Sequence, residues 1–153
     1  MESAMPASWA PRMIVLLRIS LAVVFVWFGA LKVAGYNPVY DIVAASFPMF
    51  VTPTGNVLLG AIETIIGIAL LFNIAPWVTH IALIAHLAGT FSVFAFAPGL
   101  MFDPFFPILS LSGEFVFKNI VLAMAGLVVL THAHGKKLST VASARHRAGA
   151  ILK

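Results

Sequence analysis

The stretch GAIETIIGIALLF, residues 60–72, reads as part of a membrane-spanning helix with one carboxylate, that of Glu63, in its middle. An aspartate at the centre of a membrane helix costs roughly 2.5–3.5 kcal/mol on insertion scales, and a glutamate should cost a similar amount. Such a side chain needs a partner inside the protein. That partner has to come from another segment of the chain.

The composition of the chain is that of an integral membrane protein. Of its 153 residues, 61% are hydrophobic and 9% are charged, and the mean hydropathy is +1.06, whereas a soluble domain carries about 25% charged residues. This length suits one small membrane domain, residues 1–153. The sequence contains no cysteine. This excludes disulfides, thiol catalysis and cysteine-ligated metals, so a redox role would need a bound cofactor or a partner.

Four apolar segments are long enough to cross a membrane, because about 20 helical residues span a hydrocarbon layer of about 30 Å. They predict an all-α fold, a four-helix membrane bundle, with helices at about 13–34, 55–73, 76–98 and 113–132 and a basic C-terminal tail at 133–153. The long connections, residues 35–54 and 98–112, are themselves apolar and aromatic. We expect them to lie in the outer membrane interface or to fold over the bundle, with a short amphipathic helix at VYDIVAASF, residues 39–47.

The basic residues predict the orientation of the bundle. Lysine and arginine lie at the start of the first segment and after the last one, namely at Arg12, Arg18, Lys136, Lys137, Arg145, Arg147 and Lys153. The long connections carry Asp41 and Asp103 but no basic residue. Both termini should therefore be cytoplasmic, in a multi-pass protein. We assign the net charge of +4 to topology and lipid contact rather than to nucleic acid.

Polar and small residues recur together at helical spacing in each segment, which predicts polar stripes that face one another in the bundle. The stripes are Arg18, Ala22, Phe25, Gly29 and Lys32 in the first segment; Asn56, Gly60, Glu63 and Gly67 in the second; Thr79, His86 and Thr90 in the third; and Glu114, Lys118, Val121, Ala125, Val128 and His132 in the fourth.

Depth along the helices predicts which of these groups meet. Glu63 lies about eight residues, or ~12 Å, below the outer start of its helix. Lys32 ends the first helix and Lys118 opens the fourth at the same side. We therefore predict that Lys32, Lys118 or both neutralise Glu63, with His86 beneath them. Arg18 and His80 should lie at the opposite, cytoplasmic side.

Each of these groups also has a structural interpretation. The pair at Glu63 could serve only to fix the register of the helices, and His86 could be a hydrogen-bonded core histidine. Glu114 and Lys118 are four residues apart in the favourable order, so their contact could stay within one helix. No metal site is predicted, because His80 and His86 are six residues apart and point to different faces.

Three spaced motifs resemble the DoxX-like superfamily of small four-helix bacterial membrane proteins, and within it the branch of the reactive-chlorine-resistance protein RclC. The likeness covers roughly residues 14–131. The motifs are Gly-x-x-Lys at Gly29 and Lys32, Gly-x-x-Glu at Gly60 and Glu63, and Gly-Glu-Phe-x-x-Lys at Gly113, Phe115 and Lys118.

The resemblance implies a role in redox physiology at the bacterial cytoplasmic membrane. DoxD-type relatives are subunits of a thiosulfate:quinone oxidoreductase, DoxX-type relatives belong to oxidant-defence assemblies, and the RclC branch serves survival of hypochlorous stress. A quinone is therefore a candidate ligand, and a redox enzyme is a candidate partner. The sequence has no dinucleotide, haem-attachment or iron–sulfur motif, which favours a non-autonomous subunit over a stand-alone oxidoreductase.

Two hypotheses from different classes follow. In the first, a lysine of the cluster donates a hydrogen bond to a quinone-like ligand, Glu63 or His86 handles a proton, and a partner supplies the redox centre. In the second, the chain is a non-catalytic membrane component. It is either a transporter of a small solute or proton, or an assembly protein in which the cluster only orients helices. Room for a ligand at Glu63 would favour the first. The sequence leaves a homodimer open.

Overall fold

The computed structural model describes residues 9–151, with side chains described for residues 9–133. In this part of the chain all regular structure is helical, apart from an isolated bridge between Phe102 and Leu109. The helices are α1 (Trp9–Val33), α2 (Tyr40–Ser46), α3 (Pro53–Phe72), α4 (Pro76–Phe91), α5 (Val93–Phe96), α6 (Pro98–Met101) and α7 (Leu111–Ile151), with a turn of 3-10 helix at Pro48–Phe50.

Four helical stretches are long and apolar enough to cross a membrane, which confirms the predicted four-helix membrane bundle. They are Trp9–Val33, Pro53–Phe72, Pro76–Phe96 and Leu111–Ala133. Large apolar side chains cover the outside of these helices, among them Val23, Leu58, Ile65, Ile81 and Val121. Such a surface suits lipid rather than water, so the chain is a multi-pass membrane protein.

The predicted helix ends at residues 98 and 132 differ most from those of the structure. The third segment does not run unbroken to residue 98, because α4 ends at Phe91 and α5 begins after Ser92. There the Ser92 hydroxyl donates to the Gly89 carbonyl at 2.6 Å and competes with the backbone ladder. The fourth helix continues through the predicted tail to Ile151, since that segment contains no proline to end it. The side chains of this tail beyond Ala133 lie outside the described residues.

Local sequence explains the start and the end of α3. The Thr52 hydroxyl accepts a hydrogen bond from the Gly55 N–H at 3.0 Å, and Pro53 occupies the first helical position, a combination that favours helix initiation. Asn73 ends the helix in the left-handed conformation, with φ 56° and ψ 40°, which asparagine tolerates better than most residues. This turn leads directly into α4.

Helices α1 and α3 pack with their backbones in contact. A Cβ atom on Gly60 would lie 2.6 Å from the Gly29 carbonyl oxygen, and one on Gly29 would lie 2.6 Å from the Thr64 backbone nitrogen. Farther along, a Cβ on Gly67 would lie 2.7 Å from the Val26 backbone nitrogen. These three glycines, here called the glycine seam, confirm that small residues let the two helices approach closely.

Among the described side chains, the bundle has two separate apolar cores. The larger core is formed by all four long helices and consists of Leu21, Ala22, Phe25, Ile66, Leu70, Leu83, Leu87, Ala125 and Val129. The smaller core joins the short helices to α7 through Ile42, Val93, Met101 and Val116. It lies at the end of the bundle where α1 ends and α3 begins, which we call the capped end. Here α2 confirms the short helix predicted within residues 39–47.

Candidate functional site

Glu63 is neutralised by Lys32, which is one of the alternatives that the sequence predicts. The Lys32 Nζ atom lies 2.6 Å from Glu63 Oε2, and the His86 Nε2 atom lies 3.2 Å from Glu63 Oε1. The side chains of Lys32 and Glu63 are 3% and 7% exposed, and that of His86 is 19% exposed. We call these three residues the polar cluster. Each comes from a different membrane helix, so the cluster ties α1, α3 and α4 together.

The backbone of the last turn of α1 is fixed by an asparagine pair. The Asn56 side-chain amide donates to the Lys32 carbonyl oxygen at 2.9 Å. Asn37 in turn donates to Asn56 Oδ1 at 2.9 Å and accepts from the Val39 N–H at 3.1 Å. The Lys32 carbonyl also accepts from the Gly35 N–H at 3.0 Å. The bond from Asn56 is therefore a second one, and it ties the end of α1 to α3 next to Glu63.

Aromatic rings surround the polar cluster on the side of α1 and α7. The Phe25 ring meets the His86 ring edge-on, with centroids 5.4 Å apart. The Lys32 ammonium lies 5.9 Å from the centroid of the Phe28 ring, and Phe28 in turn contacts Phe115 at 5.9 Å. Edge-on rings and a cation near a ring face are favourable contacts that also keep water away. They orient His86 and Lys32 toward Glu63.

A cavity of about 370 Å³ opens beside the polar cluster, between α3, α4 and the capped end. We call it the main cavity. Ligand pockets in proteins have volumes of about 300–1,000 Å³, and most are apolar with a few polar groups. Its wall follows this pattern, because Lys32, Glu63 and His86 lie among side chains that include Ile42, Phe47, Phe50, Leu59, Ile62, Ile66, Ala82, Ala85 and Phe115.

One further polar atom in the wall of the main cavity lacks a partner. The Ser46 hydroxyl oxygen is buried and has no hydrogen bond to any described residue. Buried hydroxyls in proteins are nearly always hydrogen-bonded, so a buried one without a partner calls for an explanation. A ligand in this cavity could supply the missing bond.

A smaller cavity of about 80 Å³ lies on the α7 side of the polar cluster. Its wall shares Lys32, Glu63 and His86 with the main cavity and adds Asn119 of α7. The polar cluster thus lies between the two cavities, and a molecule in either cavity can contact Glu63 or His86.

The prediction that Lys118 helps to neutralise Glu63 is wrong. The Lys118 Nζ atom lies 3.0 Å from Glu114 Oε2, and the Lys118 side chain is 73% exposed. The contact is the intrahelical alternative that the spacing also allowed. The predicted stripe of α7 is wrong in part. Ala125 is buried as predicted, but Val121 and Val128 are exposed, and Val116 and Val129, which lie outside the stripe, are buried. Between residues 113 and 129 the inward face of α7 is apolar apart from Asn119, and Glu114 and Lys118 point outward.

The remaining predicted residues lie at different distances from the polar cluster. Thr90 lines both cavities, and its hydroxyl donates to the His86 carbonyl at 3.2 Å. His80 is buried in the first turns of α4, where its Nδ1 donates to the Pro76 carbonyl. Arg18 is half-buried, and its Nε atom has no hydrogen-bond partner among the described residues. His80 and Arg18 therefore stand apart from the cluster, as predicted.

Three polar residues at the site escaped the sequence analysis, namely Asn37, Ser46 and Asn119. Asn37 and Ser46 belong to the connection between α1 and α3, where no helical period relates them to the cluster. Asn119 directly follows Lys118 and shares the wall of the smaller cavity. A helical stripe of α7 that begins at Val116 and continues through the buried positions Ala125 and Val129 would have included Asn119.

Among the described side chains, no three histidine, aspartate or glutamate residues are close enough to hold a metal ion. The histidine-containing run THAHGKK, residues 131–137, lies partly outside these described side chains.

Comparison of the chain with protein-family models, with curated proteins and with solved structures finds no match.

The geometry limits what the site can do chemically. Lys32 and His86 provide N–H donors, Glu63 provides a carboxylate, and all three lie at the boundary of an apolar space. Such a set can hydrogen-bond the polar head of an apolar molecule, and the Glu63–His86 contact can hold a proton close to it. The larger apolar core lies between the cluster and the opposite end of the bundle.

Proposed function

We propose that the protein is a membrane subunit of a redox or oxidative-stress-defence system and that it binds a quinone or a similar small ligand in the main cavity. The observation that carries the proposal is the room at the polar cluster. The main cavity has a volume of about 370 Å³ and reaches Lys32, Glu63 and His86. A pair that served only to orient helices would need no such space.

The chemistry of the wall suits a ring with carbonyl oxygens. Lys32 uses one of its N–H donors on Glu63, and its other donors are suited to a carbonyl oxygen. Phe47, Phe50 and Phe115 supply apolar surface for the ring. Reduction of such a ring to the hydroquinone takes up two protons and two electrons. Glu63 and His86 would pass the protons to the ring oxygens, and a partner protein would supply the electrons.

The resemblance to the DoxX-like superfamily supports the same proposal. The motif residues Gly29, Lys32, Gly60 and Glu63 are those of the glycine seam and the polar cluster. We extend the proposal to a non-autonomous subunit in the bacterial cytoplasmic membrane, with both termini cytoplasmic and the capped end facing outward. Lys118 of the third motif is exposed and would be free to contact a partner protein.

The direct ion pair favours a second candidate, a structural or assembly protein. At 2.6 Å, Lys32 and Glu63 already satisfy each other without a ligand. A transporter is less well supported, because the larger apolar core, which includes Leu21, Leu70 and Leu83, lies beneath the cluster. A polar solute would have to cross this core to reach the other end of the bundle.

Mass spectrometry of organic extracts tests the proposal. We expect the purified wild-type protein to carry a quinone-like molecule in stoichiometric amount. The double variant Glu63→Gln with Lys32→Met, which removes both charges together, should fold and lose this molecule. Lys118→Met is the matched control and should retain it. Extracts that contain only phospholipid in all three proteins would favour the structural candidate.

A further inference from the structure

We infer that the main cavity receives its ligand sideways from the hydrocarbon layer, through a crevice between α3 and α4, and that the ligand is therefore an uncharged, lipid-soluble molecule. This inference rests on the proposed function only in taking the main cavity as a ligand site. It adds the route of access and the solubility class of the ligand.

The first observation is the exposure of the cavity wall. Ile62 of α3 and Ala85 of α4 both line the main cavity, and both are exposed on the outside of the bundle. Each lies well inside a membrane-spanning stretch, nine residues from the start of its helix at Pro53 or Pro76. That distance corresponds to about 13–14 Å along the helix axis. The exposed side of this wall thus faces the hydrocarbon layer.

The second observation is the contrast between the two faces of α3. Toward α1, the glycine seam brings the backbones into contact and leaves no space. Toward α4, the cavity separates the helices, and α4 presents the small residues Ala82, Ala85 and Gly89 to it. A Cβ atom on Gly89 would meet only the Phe47 ring, at 3.5 Å. The crevice is therefore kept open by small side chains on α4.

The other approaches to the main cavity are covered. At the capped end, Ile42 of α2, Phe50 of the 3-10 turn and Phe47 between these two elements contribute to its wall, and Ile42 is buried in the smaller core. At the opposite end, Ile66 belongs both to the cavity wall and to the larger apolar core. A water-soluble molecule would have to displace one of these cores, whereas a molecule dissolved in the bilayer meets the crevice directly.

The charges of the polar cluster disfavour an ionic ligand. Lys32 and Glu63 compensate each other at 2.6 Å. A cationic head that paired with Glu63 would leave Lys32 buried without a counter-charge, and an anionic head that paired with Lys32 would leave Glu63 with His86 alone; either change is costly in an apolar site. A neutral head with an oxygen acceptor can bond to Lys32 or to the Ser46 hydroxyl and leave the ion pair intact.

A blocked crevice tests the route through binding kinetics. The probe is a benzoquinone with a ten-carbon tail, added to the protein in lipid nanodiscs. Ala85→Trp should slow its association by about tenfold, because the bulky side chain must move before the probe can pass. Ala88→Trp is the matched control, since Ala88 is exposed on the same helix but does not line the cavity, and it should bind at the wild-type rate. Equal rates for the two variants would overturn the lateral route.

A second measurement tests the route without any quinone. The chain has no cysteine, so Ser46→Cys can be labelled alone with a small bimane fluorophore inside the cavity. We expect quenching by nitroxides on lipid acyl chains and little quenching by aqueous iodide. Ala88→Cys and Asp103→Cys, both exposed, give the reference values for lipid and for the loop after α6. Strong iodide quenching at Ser46→Cys would overturn the inference.

The two measurements separate the inference from the proposed function. If the wild-type protein fails to bind the tailed benzoquinone while the Ser46→Cys label is quenched from the lipid, the proposed quinone-type ligand is wrong and the lateral opening stands. If the probe binds but Ala85→Trp leaves its association unchanged, the ligand site stands and the lateral route is wrong.

Discussion

At the scale of single residues, the central feature of the candidate site is the buried ion pair of Lys32 and Glu63. Two opposite charges are buried at 2.6 Å, and His86 occupies the second carboxylate oxygen. Buried ion pairs contribute little net stability, because desolvation offsets their attraction, but removing one partner strands the other. The effect of removing one or both charges on the stability of the protein can therefore be measured separately from their role in ligand binding.

Glu63→Gln should destabilise the protein by about 3–5 kcal/mol, because it leaves the Lys32 ammonium buried without a counter-charge. Adding Lys32→Met should restore most of this loss, since no charge then remains unpaired. Thermal unfolding in lipid nanodiscs, followed by the circular dichroism of the helices, measures both variants. If the double variant is no more stable than Glu63→Gln alone, the two residues are not energetically coupled.

Lys118→Met should change stability by less than about 1 kcal/mol, because exposed pairs between residues four apart on a helix contribute little. The same unfolding assay gives the comparison with Lys32→Met, which should be as damaging as Glu63→Gln. A loss from Lys118→Met as large as that from Lys32→Met would place Lys118 in the polar cluster after all.

Sequence alone reduced the partners of Glu63 to Lys32 and Lys118, because depth and charge leave a buried carboxylate few partners. It was insufficient for Lys118, because a lysine at the start of a helix has a competing partner one turn away in Glu114. The sequence offers both contacts, and only the rotation of α7 about its axis selects between them.

At the scale of the helices, the glycine seam sets the distance between α1 and α3 and thereby the reach of Lys32 to Glu63. Gly29 and Gly60 lie one turn before Lys32 and Glu63 in their helices. Backbone contact at the seam brings the two side chains together without extending the lysine into solvent. The long connection after α1 then adds Asn37, which fixes Asn56 and the end of α1.

Gly60→Ala should destabilise the bundle by about 1–3 kcal/mol, as overpacking does in tight interiors. The added Cβ would lie 2.6 Å from the Gly29 carbonyl oxygen, so α1 and α3 must move apart. Gly89→Ala is the matched control, because its Cβ would meet only the Phe47 ring at ordinary contact distance. Thermal unfolding of the detergent-solubilised proteins should give a midpoint temperature for Gly60→Ala that is well below that of Gly89→Ala. Equal stabilities would mean that the seam is not close-packed.

Hydropathy predicts the four long helices because each must satisfy its backbone within one apolar segment. It does not predict α5 and α6, which have only four residues each, or the smaller core that they build with α2 and α7. It also cannot predict the main cavity. That space depends on the separation of α3 from α4 and on which way Ala82, Ala85 and Gly89 face.

At the scale of the whole molecule, four membrane crossings place the two ends of the described chain on one side of the bilayer. In the orientation that we propose from the basic residues, that side is the cytoplasm. The capped end, the polar cluster and the main cavity would then belong to the outer half of the membrane. A ligand site in this half is accessible to molecules dissolved in the outer leaflet.

Cysteine labelling in intact bacterial cells checks this orientation. Asp103→Cys, in the connection after α6, should react with a membrane-impermeant maleimide added from outside. Ile74→Cys, in the exposed turn between α3 and α4, should react only after the cells are permeabilised. The reverse pattern would mean that the capped end faces the cytoplasm.

Photoaffinity labelling with an azidoquinone tests most directly whether the main cavity is a ligand site. Peptide mapping should find cross-links on the α2 and 3-10 segment and on the cavity faces of α3 and α4. Unlabelled quinone should suppress them, and the double variant Glu63→Gln with Lys32→Met should lack them. Cross-links spread over the lipid-facing surfaces of α1 and α7, and unaffected by unlabelled quinone, would contradict a ligand site at the polar cluster.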